Sequence, residues 1–164
     1  MDLKKLTPGE MTTGVSGVLL LVFSFFAWFG VDTPVGDFTR NGWQAPKSFF
    51  SIVAILIGIV LAAHVIVEKL TGVDLPDRLG SIGWGVVHLA GGGIAFLFVL
   101  IKAILGGDYF TVSLDRKFGL WLGLISAAGL AVGGYLMAKE AGELPGALGG
   151  AKGGSAPQPP PPTA

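Results

Sequence analysis

Two histidines, His64 and His88, are the side chains within the long apolar stretches of this sequence that titrate near neutral pH. Their two stretches follow one another along the chain, so antiparallel helices would place both imidazoles at a similar depth. Imidazoles placed in this way suit three roles: a hydrogen bond in a helix contact, axial ligation of a haem iron, or the handling of a proton or ion. We favour the first role and keep the other two open.

Haem ligation by this pair meets a geometric obstacle. Adjacent helices pack about 8–10 Å apart, which leaves too little room for a porphyrin between two facing histidines. The sequence also holds no second pair of histidines for another haem. We therefore expect no cofactor and no bound metal, with haem at His64 and His88 as the alternative.

Charged residues are absent from the middle of every apolar stretch. Proton-coupled transporters usually carry an ionisable residue there, and voltage sensors carry arginines along a helix, so neither class is supported. The chain has no cysteine, which excludes disulfides, thiolate metal sites and thiol exchange. Its formal net charge is zero and its basic residues form no cluster larger than two, so nucleic-acid binding is not supported. We expect no enzymatic activity.

Small residues recur at helical spacing in the third and fourth apolar stretches. In lipid, such faces let two helix backbones approach closely. The Gly91-Gly92-Gly93 run is predicted to mark a helix crossing, rather than a kink or a ligand groove. The predicted helix-packing positions are Gly85, Gly92, Gly119, Gly123, Gly129 and Gly133.

Four apolar stretches must position all of these residues. Hydrophobic residues make up 51% of the chain and charged residues 13%, about half the charged share of a soluble domain. About 20 apolar residues cross a bilayer, and backbone groups in lipid must satisfy one another, so each stretch should be a helix. We predict an all-α membrane protein, an antiparallel four-helix transmembrane bundle within residues 1–140, with helices at about 8–30, 47–70, 80–105 and 114–139. The Gly-, Ala- and Pro-rich residues 141–164 should form a disordered tail.

The ends of the stretches carry weaker signals. Thr7-Pro8-Gly9-Glu10 is typical of a capping box at the start of the first helix. The loops at residues 31–47 and 106–117 fall on one side of the membrane. We favour loops that only connect helices, and the alternative is a small cap with strand pairing between residues 37–40 and 109–112. Trp28, Trp43, Tyr109 and Trp121 fall at that same side, as an interfacial aromatic belt does. Lys4 and Lys5 favour a retained first helix and cytoplasmic termini.

These observations predict a multi-pass protein of the cell membrane that is not catalytic and acts through helix and loop contacts with other membrane components. The expected partners are the lipid bilayer and either other membrane proteins or further copies of the chain. Two alternatives stay open: a haem-binding or redox membrane protein that uses His64 and His88, and a small channel or transporter subunit.

Overall fold

The computed structural model describes residues 6–34, 36–71, 78–79, 82–109 and 111–144. The predicted disordered tail lies outside them from residue 145 onward. The helices are α1 (Pro8–Phe23), α2 (Ser48–Leu70), α3 (Trp84–Leu105) and α4 (Phe118–Glu140). The strands are β1 (Ala27–Thr33), β2 (Gly36–Asn41), β3 (Arg78–Leu79), β4 (Ile82–Gly83), β5 (Gly107–Tyr109) and β6 (Val112–Arg116).

Three helices, α2, α3 and α4, are long and apolar enough to cross a membrane, which supports the prediction of a membrane protein. The first helix is apolar but has only 16 residues. The predicted capping box at its start is confirmed. Glu10 N donates to Thr7 Oγ1 over 3.3 Å, and Thr7 N donates to Glu10 Oε2 over 2.9 Å.

The prediction of an all-α protein is wrong, because β2, β1, β6 and β5 form a four-stranded antiparallel sheet in that order. The favoured interpretation of the two loops as plain helix connections is also wrong, because both contribute strands, and the alternative pairing of residues 37–40 with residues 109–112 is not formed. Residues 37–40 pair with β1, and Tyr109 pairs with Val112 where β5 and β6 meet. Each hairpin joins strands that are adjacent in sequence, and closing such a short loop costs little chain entropy.

The first helix ends at Phe23, so the predicted helix over residues 8–30 is wrong beyond that residue. Three side-chain donors meet the carbonyls and the hydroxyl at its end. Trp28 Nε1 donates to Phe23 O over 2.9 Å, and Ser24 Oγ donates to Leu21 O over 2.6 Å. Trp43 Nε1 then donates to Ser24 Oγ over 2.8 Å. Because these donors satisfy the helix end, the chain leaves it as a strand instead of continuing through the apolar residues that follow.

The sheet sits over the end of the helices where α1 and α3 finish and α2 and α4 begin. Lys117 N donates to Trp28 O over 2.9 Å at the start of α4, which is why α4 begins at Phe118 and not near residue 114. Arg116 Nε donates to Ala103 O over 2.7 Å, so a basic side chain caps the last turn of α3. Trp28 is completely buried between sheet and helices, so its predicted place in an interfacial belt is wrong.

The opposite end of the helices brings together the start of α1 and the ends of α2 and α4. Gly9 N donates to Glu140 Oε1 over 3.2 Å, and Lys69 Nζ lies 3.1 Å from Glu10 Oε1. Helices that are adjacent in sequence are therefore antiparallel. The core between them is apolar and includes Leu20, Ile55, Val99, Leu120, Ala127 and Leu130.

Candidate functional site

The contact between α2 and α3 brings His64 and His88 together. Their ring centroids lie 5.0 Å apart, with an angle of 59° between the ring planes. Trp84, one turn before His88, stacks on His64 with 3.8 Å between ring centroids. His88 is completely buried, and the His64 side chain is 7% exposed. We call these three side chains the histidine pair site.

Hydrogen bonding defines the tautomer of His88. Its Nδ1 lies 2.8 Å from Trp84 O, and because a carbonyl only accepts, Nδ1 must carry the proton and donate. The lone pair of a neutral His88 then sits on Nε2, which is buried and has no hydrogen-bond partner among the described residues. Both ring nitrogens of His64 are likewise buried and have no hydrogen-bond partner among the described residues. Three unsatisfied nitrogens in one place are unusual, since buried polar groups are nearly always paired.

Charged groups connect the histidine pair site to the end of the helices. Glu68 Oε2 lies 3.9 Å from His64 Nδ1, one turn further along α2. Lys69 Nζ lies 2.9 Å from Glu68 Oε1 and 3.1 Å from Glu10 Oε1. A chain of side chains therefore runs from α3 through α2 to the first turn of α1, and its charges are arranged so that each carboxylate meets the ammonium of Lys69.

Axial ligation of haem does not fit this geometry. Two imidazoles on opposite faces of one metal, with metal–nitrogen bonds of about 2 Å, would have ring centroids roughly 6 Å apart with a porphyrin plane between them. The observed centroids are 5.0 Å apart, on two helices that contact each other directly. Within the described part of the chain, no group of three or more His, Cys, Asp or Glu residues is placed to hold a metal ion.

Replacing His64 by leucine should stabilise the protein. The substitution removes two buried nitrogens that lack hydrogen bonds and supplies an apolar side chain of similar size that can still pack on Trp84. We therefore expect the free energy of unfolding to rise by about 1–2 kcal/mol. Unfolding in mixed detergent micelles would measure this change. A matched His88→Leu variant also loses the hydrogen bond to Trp84 O, so its free energy of unfolding should rise by less. A clear loss of stability in His64→Leu would mean that the contacts of His64 with Trp84 and Glu68 outweigh the cost of its unsatisfied nitrogens.

Lys102 is a second buried polar site, and sequence reasoning missed it. The residue lies in the last turn of α3 and is completely buried. Its Nζ donates to Ser51 Oγ over 2.6 Å, to Gly42 O over 3.3 Å and to Gln44 O over 3.4 Å. Ser51 Oγ in turn donates to Gly42 O. We call this arrangement the lysine anchor, because it connects the loop after β2 to the start of α2 and the end of α3.

Two aromatic rings complete the lysine anchor. Lys102 Nζ lies 5.3 Å from the ring centroid of Trp28 and 5.9 Å from that of Phe29, both of which are completely buried. Such rings attract a desolvated cation. The one sequence signal for the anchor is a lysine in the last turn of an apolar helix, and this signal is equally typical of a side chain that reaches out to the membrane surface.

The predicted helix-packing glycines lie at three kinds of contact. A Cβ at Gly85 or Gly92 would meet the backbone of α4, at Ala138 and Leu130 respectively. Gly129 and Gly133 face Ser16 and Thr13 of α1. Gly119 and Gly123 face Ala27 O and the ring of Trp28, so these two glycines accommodate the sheet instead of a helix.

No protein-family model, no curated protein and no solved structure matches this chain, so its function has to be inferred from its own geometry.

Proposed function

We propose that this chain is an integral membrane protein without enzymatic activity that acts by contact with other membrane components, and that the outer strand of its sheet, β2, is the contact surface. In this proposal the helices hold the sheet at one membrane surface. The partner is another membrane protein or a second copy of the chain.

The exposure of β2 is the observation that carries the proposal. Gly36, Asp37, Phe38 and Thr39 are all exposed, so both faces of the strand are accessible. On its inner edge β2 pairs with β1 from Thr33↔Gly36 onward, and no described strand pairs with its outer edge. An unpaired strand edge is a template for pairing with another chain.

Phe38 adds an apolar contact to this edge. Its side chain is 43% exposed, and the guanidinium carbon of Arg40 lies 4.6 Å from its ring centroid. Aromatic and arginine side chains are the residues that most often dominate the binding energy of protein interfaces. Phe38 and Arg40 therefore suit a strand that binds a partner protein better than they suit a loop that only connects two helices.

The sheet is held in place by polar contacts to the helix ends, which favours a defined surface over a pair of mobile loops. The lysine anchor holds the chain after β2, and Arg116 holds β6 to the end of α3. Lys117 Nζ lies 2.7 Å from Asp32 Oδ1, and this hydrogen bond raises the pKa of Lys117 above its ordinary value. The ion pair links β1 to the start of α4.

Placement in the membrane is part of the proposal. All four helices would cross the bilayer, with cytoplasmic termini and the sheet on the outer side. A helix of 16 residues covers about 24 Å of a hydrocarbon core of about 30 Å, and the exposed Phe25 and Phe26 extend its apolar surface. Its packing along α2 and α4 supports the same placement.

A photo-crosslinking amino acid at Thr39 should give one discrete crosslinked product in native membranes. The same amino acid at Ile125, which is 68% exposed on α4, should give no discrete product, because that side chain would face lipid. Adding Phe38→Ser to the Thr39 probe should lower the yield about tenfold, which corresponds to roughly 1.4 kcal/mol of lost contact. Gel analysis followed by mass spectrometry of the product would measure these yields.

Two results would contradict the proposal. One is a product at Ile125 equal to that at Thr39, because the sheet would then have no special role. The other is enzymatic turnover or solute flux by purified, reconstituted protein, because contact alone produces neither.

A channel or transporter subunit is the second candidate, and the unsatisfied nitrogens of the histidine pair site are the observation that favours it. Buried ionisable residues in membrane-spanning helices often lie on proton or ion paths. Flux in liposomes that falls in a His88→Ala variant would support this candidate, and unchanged flux would exclude His88 from such a path.

A further inference from the structure

The outer edge of β2 presents a short, defined set of peptide groups. The carbonyl oxygen of Phe38 points toward β1, because a Cβ at Gly30 would lie 2.9 Å from it. Peptide groups alternate in direction along a strand, so the N–H and C=O groups of Asp37 and Thr39 point away from β1. Within the described part of the chain, no group bonds to them. We call Asp37 and Thr39 the free edge.

The next residue with outward peptide groups is already occupied. Asn41 N donates to Gln44 Oε1 over 3.1 Å, and Gln44 N donates to Asn41 O over 3.3 Å. At the opposite end of β2, Gly36 O faces β1 and accepts from Thr33 Oγ1 over 2.6 Å. Within β2, a partner strand can therefore form hydrogen bonds only with the free edge.

Antiparallel pairing with β2 of a second copy uses the free edge completely. When Phe38 lies opposite Phe38 of the second copy, Asp37 of each copy lies opposite Thr39 of the other. Each of these two pairs exchanges both hydrogen bonds, so four bonds form and every peptide group of the free edge is satisfied.

Other registers of the same pairing are worse. A slip of two residues in one direction places the two Asp37 carboxylates directly opposite each other, which is unfavourable for like charges. A slip of two residues in the other direction places Asp37 opposite Asn41, whose peptide groups are occupied by Gln44. Only the register centred on Phe38 therefore uses all four peptide groups without opposing like charges.

The side chains fit the register centred on Phe38. The two Phe38 residues form a pair without mutual hydrogen bonds, whose Cα atoms lie about 4.5 Å apart, and aromatic pairs at such positions stabilise a sheet. Arg40 lies opposite Gly36 of the second copy, which has no side chain. Its guanidinium carbon can therefore stay 4.6 Å from the centroid of its own Phe38 ring. The outer edge of β2 is complementary to itself.

We propose that two copies of this chain associate through β2, about a two-fold axis at Phe38, and so join their four-stranded sheets into one sheet of eight strands. A contact in which one surface patch meets its own copy is the commonest arrangement in protein dimers. The inference rests on the proposed function, because it names a second copy as the partner of the same strand.

Engineered cysteines would test this register in native membranes, since the chain has no cysteine of its own. Two differently tagged copies are expressed together, one carrying Asp37→Cys and the other Thr39→Cys. Opposite positions of this kind have Cα atoms about 5.5 Å apart, so mild oxidation should join the two tags by a disulfide. Either variant expressed alone should give about tenfold less disulfide, because its two cysteines are diagonal neighbours about 7–8 Å apart.

Lysine substitutions test the same register without a crosslink. Phe38→Lys places two ammonium groups opposite each other at the two-fold axis and should weaken the dimer about tenfold. Thr39→Lys is the matched control, because each new lysine lies opposite Asp37 of the other copy and should leave the dimer at least as strong. Both positions are exposed in the single chain, so both variants should fold. The dimer fraction, followed against protein concentration in mixed micelles, measures both effects.

Two results would overturn the inference. One is a disulfide between two Thr39→Cys copies that forms more readily than the mixed disulfide, and the other is a dimer that Phe38→Lys does not weaken. The photo-crosslinked product at Thr39 separates this inference from the proposed function. A product of two copies supports both, and a product with a different protein overturns the dimer but leaves β2 as a contact surface. The absence of any discrete product overturns both.

Discussion

Replacing Gly92 by alanine should destabilise this protein strongly, while the same replacement at the adjacent Gly93 should be neutral or stabilising. A Cβ at Gly92 would lie against Leu130 O, 2.7 Å from Leu130 C and 2.9 Å from Ala131 N. These are backbone atoms of α4 and cannot rotate away, so α3 and α4 would have to separate. We expect the free energy of unfolding to fall by about 2–3 kcal/mol.

Gly93 is the matched control for this prediction. It lies in the same helix and the same glycine run, but a Cβ there meets nothing within 4 Å. Alanine is the better helix former by about 1 kcal/mol, so Gly93→Ala should hold or raise stability. Unfolding in mixed detergent micelles would compare the two variants. Equal effects at both positions would mean that helix propensity, and not the α3–α4 contact, sets the outcome.

Gly134 offers an independent check on the same contact from the other helix. A Cβ at Gly134 would strike His88 O and lie 2.5 Å from His88 C. Gly134→Ala should therefore resemble Gly92→Ala. The variant that combines Gly92→Ala with Gly134→Ala should lose less stability than the sum of the two single losses, because one separation of α3 and α4 relieves both contacts.

Replacing Lys102 by methionine should also be strongly destabilising. Methionine keeps much of the length of the side chain but removes the ammonium, so Gly42 O, Gln44 O and Ser51 Oγ lose their shared donor. Each unsatisfied buried acceptor costs about 1–3 kcal/mol before the structure relaxes. We therefore expect the free energy of unfolding to fall by about 2–4 kcal/mol. Unfolding followed by tryptophan fluorescence, to which Trp28 and Trp43 contribute beside Trp84 and Trp121, would measure this loss.

Lys47→Met is the control for the lysine anchor. Lys47 Nζ donates to Leu105 O over 3.0 Å, but this hydrogen bond is exposed, so water can replace the donor. Lys47→Met should therefore lower the free energy of unfolding by no more than about 0.5 kcal/mol. Similar losses of stability at Lys47 and Lys102 would show that burial of Lys102 adds nothing to the attachment of the sheet.

If the loss of stability in Lys102→Met is confined to the sheet, proteolysis between residues 41 and 47 should increase while the helices stay protected.

The histidine pair was predictable in part. The lengths of the second and third apolar stretches indicate that His64 and His88 lie at similar depths. Their spacing of 5.0 Å, the stacking of Trp84 and the unsatisfied nitrogens depend on how far α2 and α3 are rotated about their axes, which a period of 3.6 residues constrains only loosely. Lys102 was unpredictable for a different reason. Its three acceptors come from residues 42, 44 and 51, more than 50 positions away.

Local composition was enough to predict two kinds of feature: three apolar helices of membrane-spanning length, and the capping box that begins the first helix. The end of α1 at Phe23 and the four strands that cover one end of the helices depend instead on contacts between distant parts of the chain. Residues 27–31 are apolar and would suit either a helix or a buried strand. What makes them a strand is the set of distant partners: β2 and β6 pair with β1, and Lys117 N donates to Trp28 O. Trp43 Nε1 donates to Ser24 Oγ at the end of α1, where the helix stops.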